Sequence, residues 1–249
     1  MVMKGGIVLA LDYESTRFTR DIDFSTDTIL KEFDTGKFIE RFNGALVEAV
    51  DKLAYDVDCA IQGWKQNPPR DDATFPTIQI NVGYANRSNQ KAHRRLLRNE
   101  ANHIVKIDFS LNEPRGEPEL FQIEEGKSIQ IYSFYDLVGE KFRAVLQQET
   151  RNRYRRQDIY DLHFLVKSRG RSVAYETKSK ILHSLIVKAT ARNLVVHQDS
   201  MRNPEIIRRS REQYYLLENE IEGALPEFKE TFDFVRVYYE DLPWHLYSL

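Results

Sequence analysis

Alternating apolar and polar residues predict several short β-strands in the first half of the chain. Ile78, Ile80 and Val82 alternate with polar residues over Thr77–Tyr84, and Ile104–Leu111 has the same two-residue period. In a strand, residues i and i+2 point to the same side of the sheet. Further strands are predicted at Asp21–Phe24, Leu120–Ile123 and Ser128–Phe134, the last two joined by a Glu-Glu-Gly-Lys turn.

Apolar residues recurring at three- and four-residue steps predict helices elsewhere. Such a pattern runs from Thr35 to Gln66 and is stopped by Pro68-Pro69, so Cys59 is expected to pack inside this helix. A short basic helix or loop is expected at Lys91–Arg98. Later helices are predicted at Tyr135–Glu149, Arg156–Ser168, Glu176–Ala191, Pro204–Glu222 and Pro226–Asp241, with breaks at Gly170, Asn203-Pro204 and Pro226.

A run of strands followed by a run of helices predicts an α+β fold. We expect a small mixed β-sheet with flanking helices, followed by a helical C-terminal bundle. The domain boundary is placed between residues 1–134 and 135–249. The chain has 249 residues, 41% of them hydrophobic, which is enough for a sizeable core in one large domain or two small ones.

Composition narrows the setting in which the protein works. There is no run of about 18 apolar residues, so no membrane span is predicted, and the first residues do not form a signal peptide. The single cysteine, Cys59, excludes an internal disulfide and a cysteine metal cluster. A reducing, cytoplasmic setting is therefore expected.

The basic residues are clustered although the net charge is only −2. Lys91–Arg98 carries four cations and no acid, and Lys141–Arg156 carries six cations against Glu149 alone. Local clusters of this kind indicate an anionic partner that binds at particular places, because the molecule as a whole is not a polycation.

Candidate chemistry begins near the start of the chain. In the predicted strand, Asp21 and Asp23 share one face, whereas Ile22 and Phe24 point to the core. Two carboxylates on a rigid face suit Mg²⁺, and the Gly5-Gly6 pair lets the backbone approach a phosphate. This combination suggests phosphoryl or nucleotidyl transfer. Either feature alone has a simpler explanation, since paired glycines often mark only a turn.

Four more charged residues extend this set. Asp108 points away from the apolar side of its strand, as the two earlier aspartates do. Lys141 lies on an otherwise apolar helical stripe, either as a fixed charge near a phosphate or as a lysine at the core margin that reaches solvent. Asp158 and Asp161 lie on one side of a helix start, where the helix dipole alone could account for both acids.

A basic loop precedes Asp158 in the sequence. Its cations and its aromatic ring could contact phosphates and stack on a base, or could simply be solvated. The candidate nucleic-acid-binding residues are Arg151, Arg153, Tyr154, Arg155 and Arg156.

Four motifs, taken in order, resemble those of the AbiEii/AbiGii-type toxin nucleotidyltransferases of abortive-infection toxin–antitoxin systems, within the DNA polymerase β-like superfamily. The motifs are Gly5–Phe24, Val105–Phe109, Leu137–Leu146 and Arg155–Leu162, and they cover about residues 4–166. One departure is that Ile7 stands where the family usually has threonine after the glycines.

The resemblance implies a nucleotidyltransferase that uses Mg²⁺ or Mn²⁺ and takes an NTP as substrate. It implies transfer to an RNA acceptor, with tRNA as the acceptor that the resemblance suggests, and a cognate antitoxin as partner. By position, Asp21 and Asp23 match the metal-binding pair, and Asp108 matches a third carboxylate that binds metal or acts as a base.

The same resemblance assigns roles to residues in the other motifs. Gly5 and Gly6 match the turn beside the triphosphate. Lys141 matches the lysine of the third motif, which would offset triphosphate charge, and Asp158 matches the aspartate of the fourth.

Two other functions fit the same residues. A non-catalytic relative would bind a nucleotide or a partner protein, and the change at Ile7 motivates this alternative. A metal-dependent nuclease would also use carboxylates and a lysine. The transferase is favoured over the non-catalytic relative because clustered acids are unfavourable without a cation.

Overall fold

The computed structural model describes residues 1–168 and 174–247. The chain forms two compact units. The first consists of Arg20–Glu113 together with Met1, and the second combines Val2–Thr19 with Pro114–Leu249. The domain boundary placed after residue 134 stays a prediction, and the predicted break at Gly170 lies outside the described residues.

Seven strands and eight α-helices lie within the described residues. The strands are β1 (Val2–Lys4), β2 (Asp21–Ser25), β3 (Asp58–Asn67), β4 (Thr77–Ala85), β5 (His103–Ser110), β6 (Glu119–Glu124) and β7 (Lys127–Ile131). The helices are α1 (Gly6–Asp12), α2 (Thr35–Lys52), α3 (Gln90–Leu97), α4 (Phe134–Leu146), α5 (Arg156–Ser168), α6 (Tyr175–Thr190), α7 (Pro204–Arg211) and α8 (Phe228–Glu240).

The first unit is a four-stranded sheet in the order β3-β4-β5-β2. β2 and β5 run parallel, whereas β3–β4 and β4–β5 are antiparallel. One face of this sheet packs against α2 and the segment before it. The buried residues of this core are Ile78, Ile80, Val82, Phe109 and Leu111.

The second unit pairs strands in the order β1-β7-β6, with β1 parallel to β7 and β6 antiparallel to it. Its core is a large apolar cluster shared by α1, α4, α5, α6 and α8. Helix α4 is the most central element, since 11 of its residues are buried. Ser133 caps α4 by accepting a hydrogen bond from the backbone N–H of Asp136.

The long helix predicted over Thr35–Gln66 is wrong in its second half. Helix α2 ends at Lys52, and the residues that follow form strand β3, with Cys59 in the strand and not inside a helix. Between residues 53 and 58 there is no proline or glycine to mark the break. Pairing of β3 with β4 over nine residue pairs, with a bulge between Ile61 and Gly63, outweighs the helical pattern.

The predicted α+β class, with its mixed strand pairing and later helices, is confirmed. Smaller differences concern element ends. The apolar run after Gly5 is helix α1, and the basic segment at Lys91–Arg98 is helix α3. The helix predicted over Pro204–Glu222 ends at Arg211, because Gln213 is left-handed (φ 59°) and a 3-10 turn follows. No helix in the described residues has the length and apolar character needed to cross a lipid bilayer.

Candidate active site

The first unit brings the three predicted strand carboxylates to one sheet face. Asp23 on β2 is the direct register partner of Asp108 on β5, and Asp21 is two residues away on the same side of β2. Adjacent strands lie about 4.8 Å apart, so the two facing carboxylates fall within reach of one bound cation. The sequence predicted only which face of its strand each aspartate occupies, and the structure adds the pairing of Asp23 with Asp108.

Side chains on both faces of the sheet hold this register. On the polar face, Gln79 Nε2 donates to Asp108 Oδ1 at 2.9 Å. On the opposite face, the Phe24 and Phe109 rings stack with their centroids 5.1 Å apart, and Phe38 packs edge-on against Phe109. Slipping β2 by one residue would move Phe24 away from Phe109 and turn Asp21 and Asp23 toward the aromatic face, so the register is strongly specified.

The chemistry of this carboxylate set fits a divalent cation. No group of three or more His, Cys, Asp or Glu side chains within the described residues is arranged as a complete metal site. Mg²⁺ does not need one, because it is usually held by one or two carboxylates together with substrate phosphates. Asp23 and Asp108, as hard oxygen ligands facing the same side, meet that requirement.

The second unit explains why the chain has two consecutive glycines near its start. Gly5 has φ 76° and ψ −155°, a conformation that residues with a Cβ rarely adopt. At Gly6 a Cβ would lie 2.8 Å from Arg17 Nη2 and 2.9 Å from Thr19 Oγ1. The glycine pair therefore lets Arg17 pass close to the start of α1.

Arg17 belongs to a buried ion network that includes the predicted lysine. Arg17 Nε and Nη2 donate to the two carboxylate oxygens of Asp161 at 2.7 and 2.9 Å. Lys141 Nζ donates to Asp161 Oδ2 at 2.6 Å and to Asp158 Oδ1 at 3.1 Å. The structure thus joins two predicted site residues, Lys141 and Asp158, in one ion network and adds Arg17 and Asp161 to it, whereas their catalytic roles stay predictions.

Each member of this network favours the charged form of its partner. Burial lowers the pKa of Lys141, but attraction to Asp161 and Asp158 outweighs it, so the pKa is raised overall. Burial raises the pKa of Asp161, but the charges of Lys141 and Arg17 outweigh it, so this pKa is lowered. Lys141 is 6% exposed and Asp161 is fully buried, so the lysine does not reach solvent in the way of a core-margin residue.

The chain position of Arg17 is fixed by backbone pairing within the second unit. Arg17 forms an isolated antiparallel bridge with Ile221, and Phe18 N donates to Glu220 O at 2.7 Å. The side chain of Glu220 also pairs with Arg156 at 3.0 Å. The segment containing Arg17 is therefore held beside α5 at several points.

The predicted basic loop divides into two parts. Arg156 is committed to Glu220, and Arg155 Nη1 lies 3.6 Å from Asp158 Oδ2. Arg151 and Arg153 are exposed, and no carboxylate within the described residues pairs with either of them. These two arginines are thus better placed to meet an external anion than the two that follow.

Tyr154 lies in the exposed part of the loop. Its ring is 45% exposed, and the guanidinium of Arg209 lies 5.7 Å from its centroid. Burial and the nearby charge of Arg192 lower the pKa of Arg151, a sign of a local excess of positive charge. The nucleic-acid role of this loop stays a prediction, and the structure adds Arg192 and Arg209 to its surroundings.

The second unit also contains a cavity of about 590 Å³ beside α6. Asp136 and Lys188 line it, but Lys141, Asp158 and Asp161 do not. Asp136 accepts hydrogen bonds from the Gly116 backbone N–H and from the Ser184 hydroxyl, and it pairs with Lys188 at 3.2 Å. These buried polar groups satisfy one another, so they are accounted for by packing.

Two members of the network were quoted in the sequence motifs without being assigned a role. Asp161 stands between Tyr160 and Leu162 within a buried run, and an acid in that position has to be paired. Arg17 carries no comparable signal, because its partner is 144 residues away. The fixed i, i+3 spacing of Asp158 and Asp161 is the one local feature that could have suggested both acids.

Comparison with known protein families bears on what this arrangement does. None of the curated proteins compared with the chain matches it. The family model described as nucleotidyl transferase AbiEii toxin, type IV toxin–antitoxin system, matches residues 1–236. That match extends from the glycine turn into α8 and includes the strand carboxylates and the ion network around Lys141. The chain therefore belongs to the AbiEii nucleotidyltransferase toxin family, which implies a nucleotide substrate and an antitoxin partner.

Proposed function

We propose that this toxin transfers a nucleotide from an NTP to an RNA acceptor, with tRNA as the leading candidate, in a reaction that depends on Mg²⁺ or Mn²⁺. The single observation that carries the proposal is the register of Asp23 opposite Asp108 on one polar sheet face. Family membership supports the transferase chemistry. Blocked translation would be the cellular outcome.

In the proposed reaction, an acceptor hydroxyl oxygen attacks the α-phosphorus of the NTP. A new oxygen–phosphorus bond forms, the bond from the α-phosphorus to the bridging oxygen breaks, and pyrophosphate leaves with the electron pair. The hydroxyl proton passes to Asp108 or to solvent. When bound, the divalent cation would neutralise phosphate charge and lower the pKa of the attacking hydroxyl.

The chain's own residues then have distinct roles. Asp23 and Asp108 would hold the cation, with Asp21 two residues away on the same face of β2, and Lys141 would offset the charge that builds up on the leaving group. An ammonium has three N–H donors, and Asp158 and Asp161 occupy two of those on Lys141. The Gly5-Gly6 turn would leave the backbone open to the triphosphate, and the exposed loop arginines Arg151 and Arg153 would hold the RNA.

The test uses each of the four NTPs labelled at the α-phosphate, with total RNA and Mg²⁺. We expect labelled RNA with the wild-type protein, and a loss of about two orders of magnitude or more with Asp23→Asn. Asp72→Asn is the matched control, since Asp72 is an exposed carboxylate in the same unit and its side chain is 81% exposed. Wild-type labelling by Asp23→Asn would contradict the mechanism.

Two further measurements distinguish the transferase from a nuclease and from a non-catalytic relative. RNA incubated with Mg²⁺ and no NTP is cut by a nuclease and left intact by a transferase. Calorimetry with each NTP identifies a non-catalytic relative, which would bind a nucleotide without incorporating any label.

A further inference from the structure

Helix α3 presents a row of positive charge that the proposed reaction does not use. Lys91, Arg94, Arg95 and Arg98 follow the spacing i, i+3, i+4 and i+7, so they lie along one face of the helix. All four are exposed, whereas Leu96 on the opposite face is fully buried. We call these four residues the α3 cation stripe.

The α3 cation stripe is not neutralised within the described part of the chain. No carboxylate there forms an ion pair with any of the four cations. Arg94 Nε and Arg95 Nε donate only to backbone carbonyls, those of Gln90 at 3.2 Å and Glu100 at 3.0 Å. Their positive charge is therefore available to an external anion.

The helix dipole favours Arg94 and Arg95 in the last turn of α3, but cations spaced three and four residues apart repel one another, so helix stability alone does not account for all four. The helix is instead held by groups on its other face. His93 Nε2 lies 2.7 Å from Asp58 Oδ2. The Gln62 side chain donates to Leu96 O at 3.1 Å and accepts from Ala101 N at 2.9 Å. These contacts hold α3, and therefore the stripe, in a fixed position on the sheet.

The stripe shares a sheet face with the catalytic carboxylates of its unit. Gln79, which contacts Asp108, and Gly83 lie on the same side of β4, about 13 Å apart along the strand. A Cβ at Gly83 would meet Gln62, the residue that binds the end of α3, and Ala101. Helix α3 therefore covers the far end of the face that carries Asp108, and the exposed cation Lys106 lies between them on β5.

We propose that the α3 cation stripe binds the phosphate backbone of the RNA acceptor. The choice of RNA rests on the proposed function. The stripe is about 10 Å long, a length over which one strand of a duplex places about three phosphates. Three of its four cations are arginines, whose planar guanidinium binds phosphate through two parallel hydrogen bonds. A straight row of cations on the catalytic face suits a nucleic-acid backbone better than the irregular charges of an acidic protein surface.

The experiment measures the affinity of the full chain for deacylated bulk tRNA over a range of salt concentrations. Arg94→Gln/Arg95→Gln is compared with Lys37→Gln/Arg41→Gln, which removes two exposed cations from α2 in the same unit. We expect the stripe variant to bind roughly tenfold more weakly, with the slope of log affinity against log salt reduced by about 1.4–1.8. The α2 variant should bind as the wild type does.

Further measurements make each outcome decisive. Thermal unfolding of the stripe variant should change little, because the relief of like-charge repulsion offsets the loss of the favourable dipole interaction at the end of α3. A lower unfolding temperature would show a structural role and overturn the proposal. Equal weakening by the two double variants, or displacement of tRNA by polyglutamate at equal charge concentration, would also overturn it.

Label incorporation by the same preparations keeps the two proposals apart. If RNA binding depends on the stripe but no label is incorporated, the proposed transferase function is overturned and the stripe proposal stands. If the stripe variant incorporates label with an unchanged KM for tRNA, the transferase function stands and the stripe proposal is overturned.

Discussion

Arg17 and Asp161 form a two-point ion pair across 144 residues of sequence, with both guanidinium contacts below 3.0 Å. Asp161 has no solvent exposure, and it also accepts a hydrogen bond from Lys141. One buried carboxylate therefore compensates two cations. Removing it would leave both cations in a site that has little water to solvate them.

Replacing Asp161 by asparagine should lower the free energy of unfolding by about 3–5 kcal/mol, because it leaves two buried cations without their main partner. Denaturant unfolding followed by circular dichroism measures this loss. Asp158→Asn is the control, since Asp158 makes one 3.1 Å contact with Lys141 and keeps some exposure. An equal or larger loss in the control would contradict the ranking of the two acids.

The same pair predicts how stability changes in acid. The pKa of Asp161 is lowered in the folded state, because the charges of Lys141 and Arg17 outweigh the effect of burial. A carboxylate of this kind adds stability above its unfolded pKa of about 3.9, and that stability is lost as the pH falls through the folded value. We expect the difference between wild type and Asp161→Asn to be constant from about pH 5 to 7 and to shrink below about pH 4. Unfolding curves at each pH test this, and a constant difference down to pH 2 would contradict it.

Gly6→Ala should disturb the buried network through the backbone. The added Cβ would meet Arg17 Nη2 at 2.8 Å and Thr19 Oγ1 at 2.9 Å, so Arg17 would have to shift away from its position on Asp161. We expect a loss of about 1–3 kcal/mol in the free energy of unfolding. Label incorporation should fall with it.

Gly44→Ala provides the matched comparison for that variant. Gly44 lies within α2, and nothing stands within 4 Å of an added Cβ. Alanine there should stabilise the protein by about 0.5–1 kcal/mol, because glycine is unfavourable inside a helix. Destabilisation by both substitutions would show that the crowding at Gly6 is not the cause.

Gln79→Leu tests whether Asp108 is oriented for cation binding. The amide of Gln79 donates to Asp108 at 2.9 Å, and losing such a supporting contact typically weakens metal binding 10–100-fold. We expect the Mg²⁺ concentration for half-maximal incorporation to rise by about that factor, with most activity recovered at saturating Mg²⁺. Gln66→Leu is the control, because the Gln66 amide donates to the backbone carbonyls of Pro68 and Arg70. A loss of activity that excess Mg²⁺ does not restore would contradict this positioning role.

Sequence patterns predicted those elements whose structure depends mainly on residues close together in the chain. The two-residue period identified β4 and β5 and the outward face of Asp108, and the glycine-to-aspartate motif located the carboxylates. Helix α5 begins and ends at the predicted residues. In each case, side-chain periodicity alone decides which face is buried.

The failures have a common physical cause. Residues 58–66 form a strand because β4 pairs with them, and no local signal ends the preceding helical pattern. Arg17 and Asp161 meet because the chain returns to the second unit after residue 113. Contacts at this sequence separation depend on the assembled fold, and one sequence without its homologues contains no record of them.

The discontinuous second unit has a consequence for synthesis on the ribosome. Val2–Thr19 is made before its partners, since Met3 pairs with Ile131, and Arg17 pairs with Asp161 and bridges to Ile221. At about 5–20 residues per second, translation takes roughly 7–30 s to advance from residue 17 to residue 161. Val2–Thr19 must therefore wait for its partners, and all of Arg20–Glu113 is made during that interval. No nascent chain that ends before Asp161 can contain the complete ion network around Lys141.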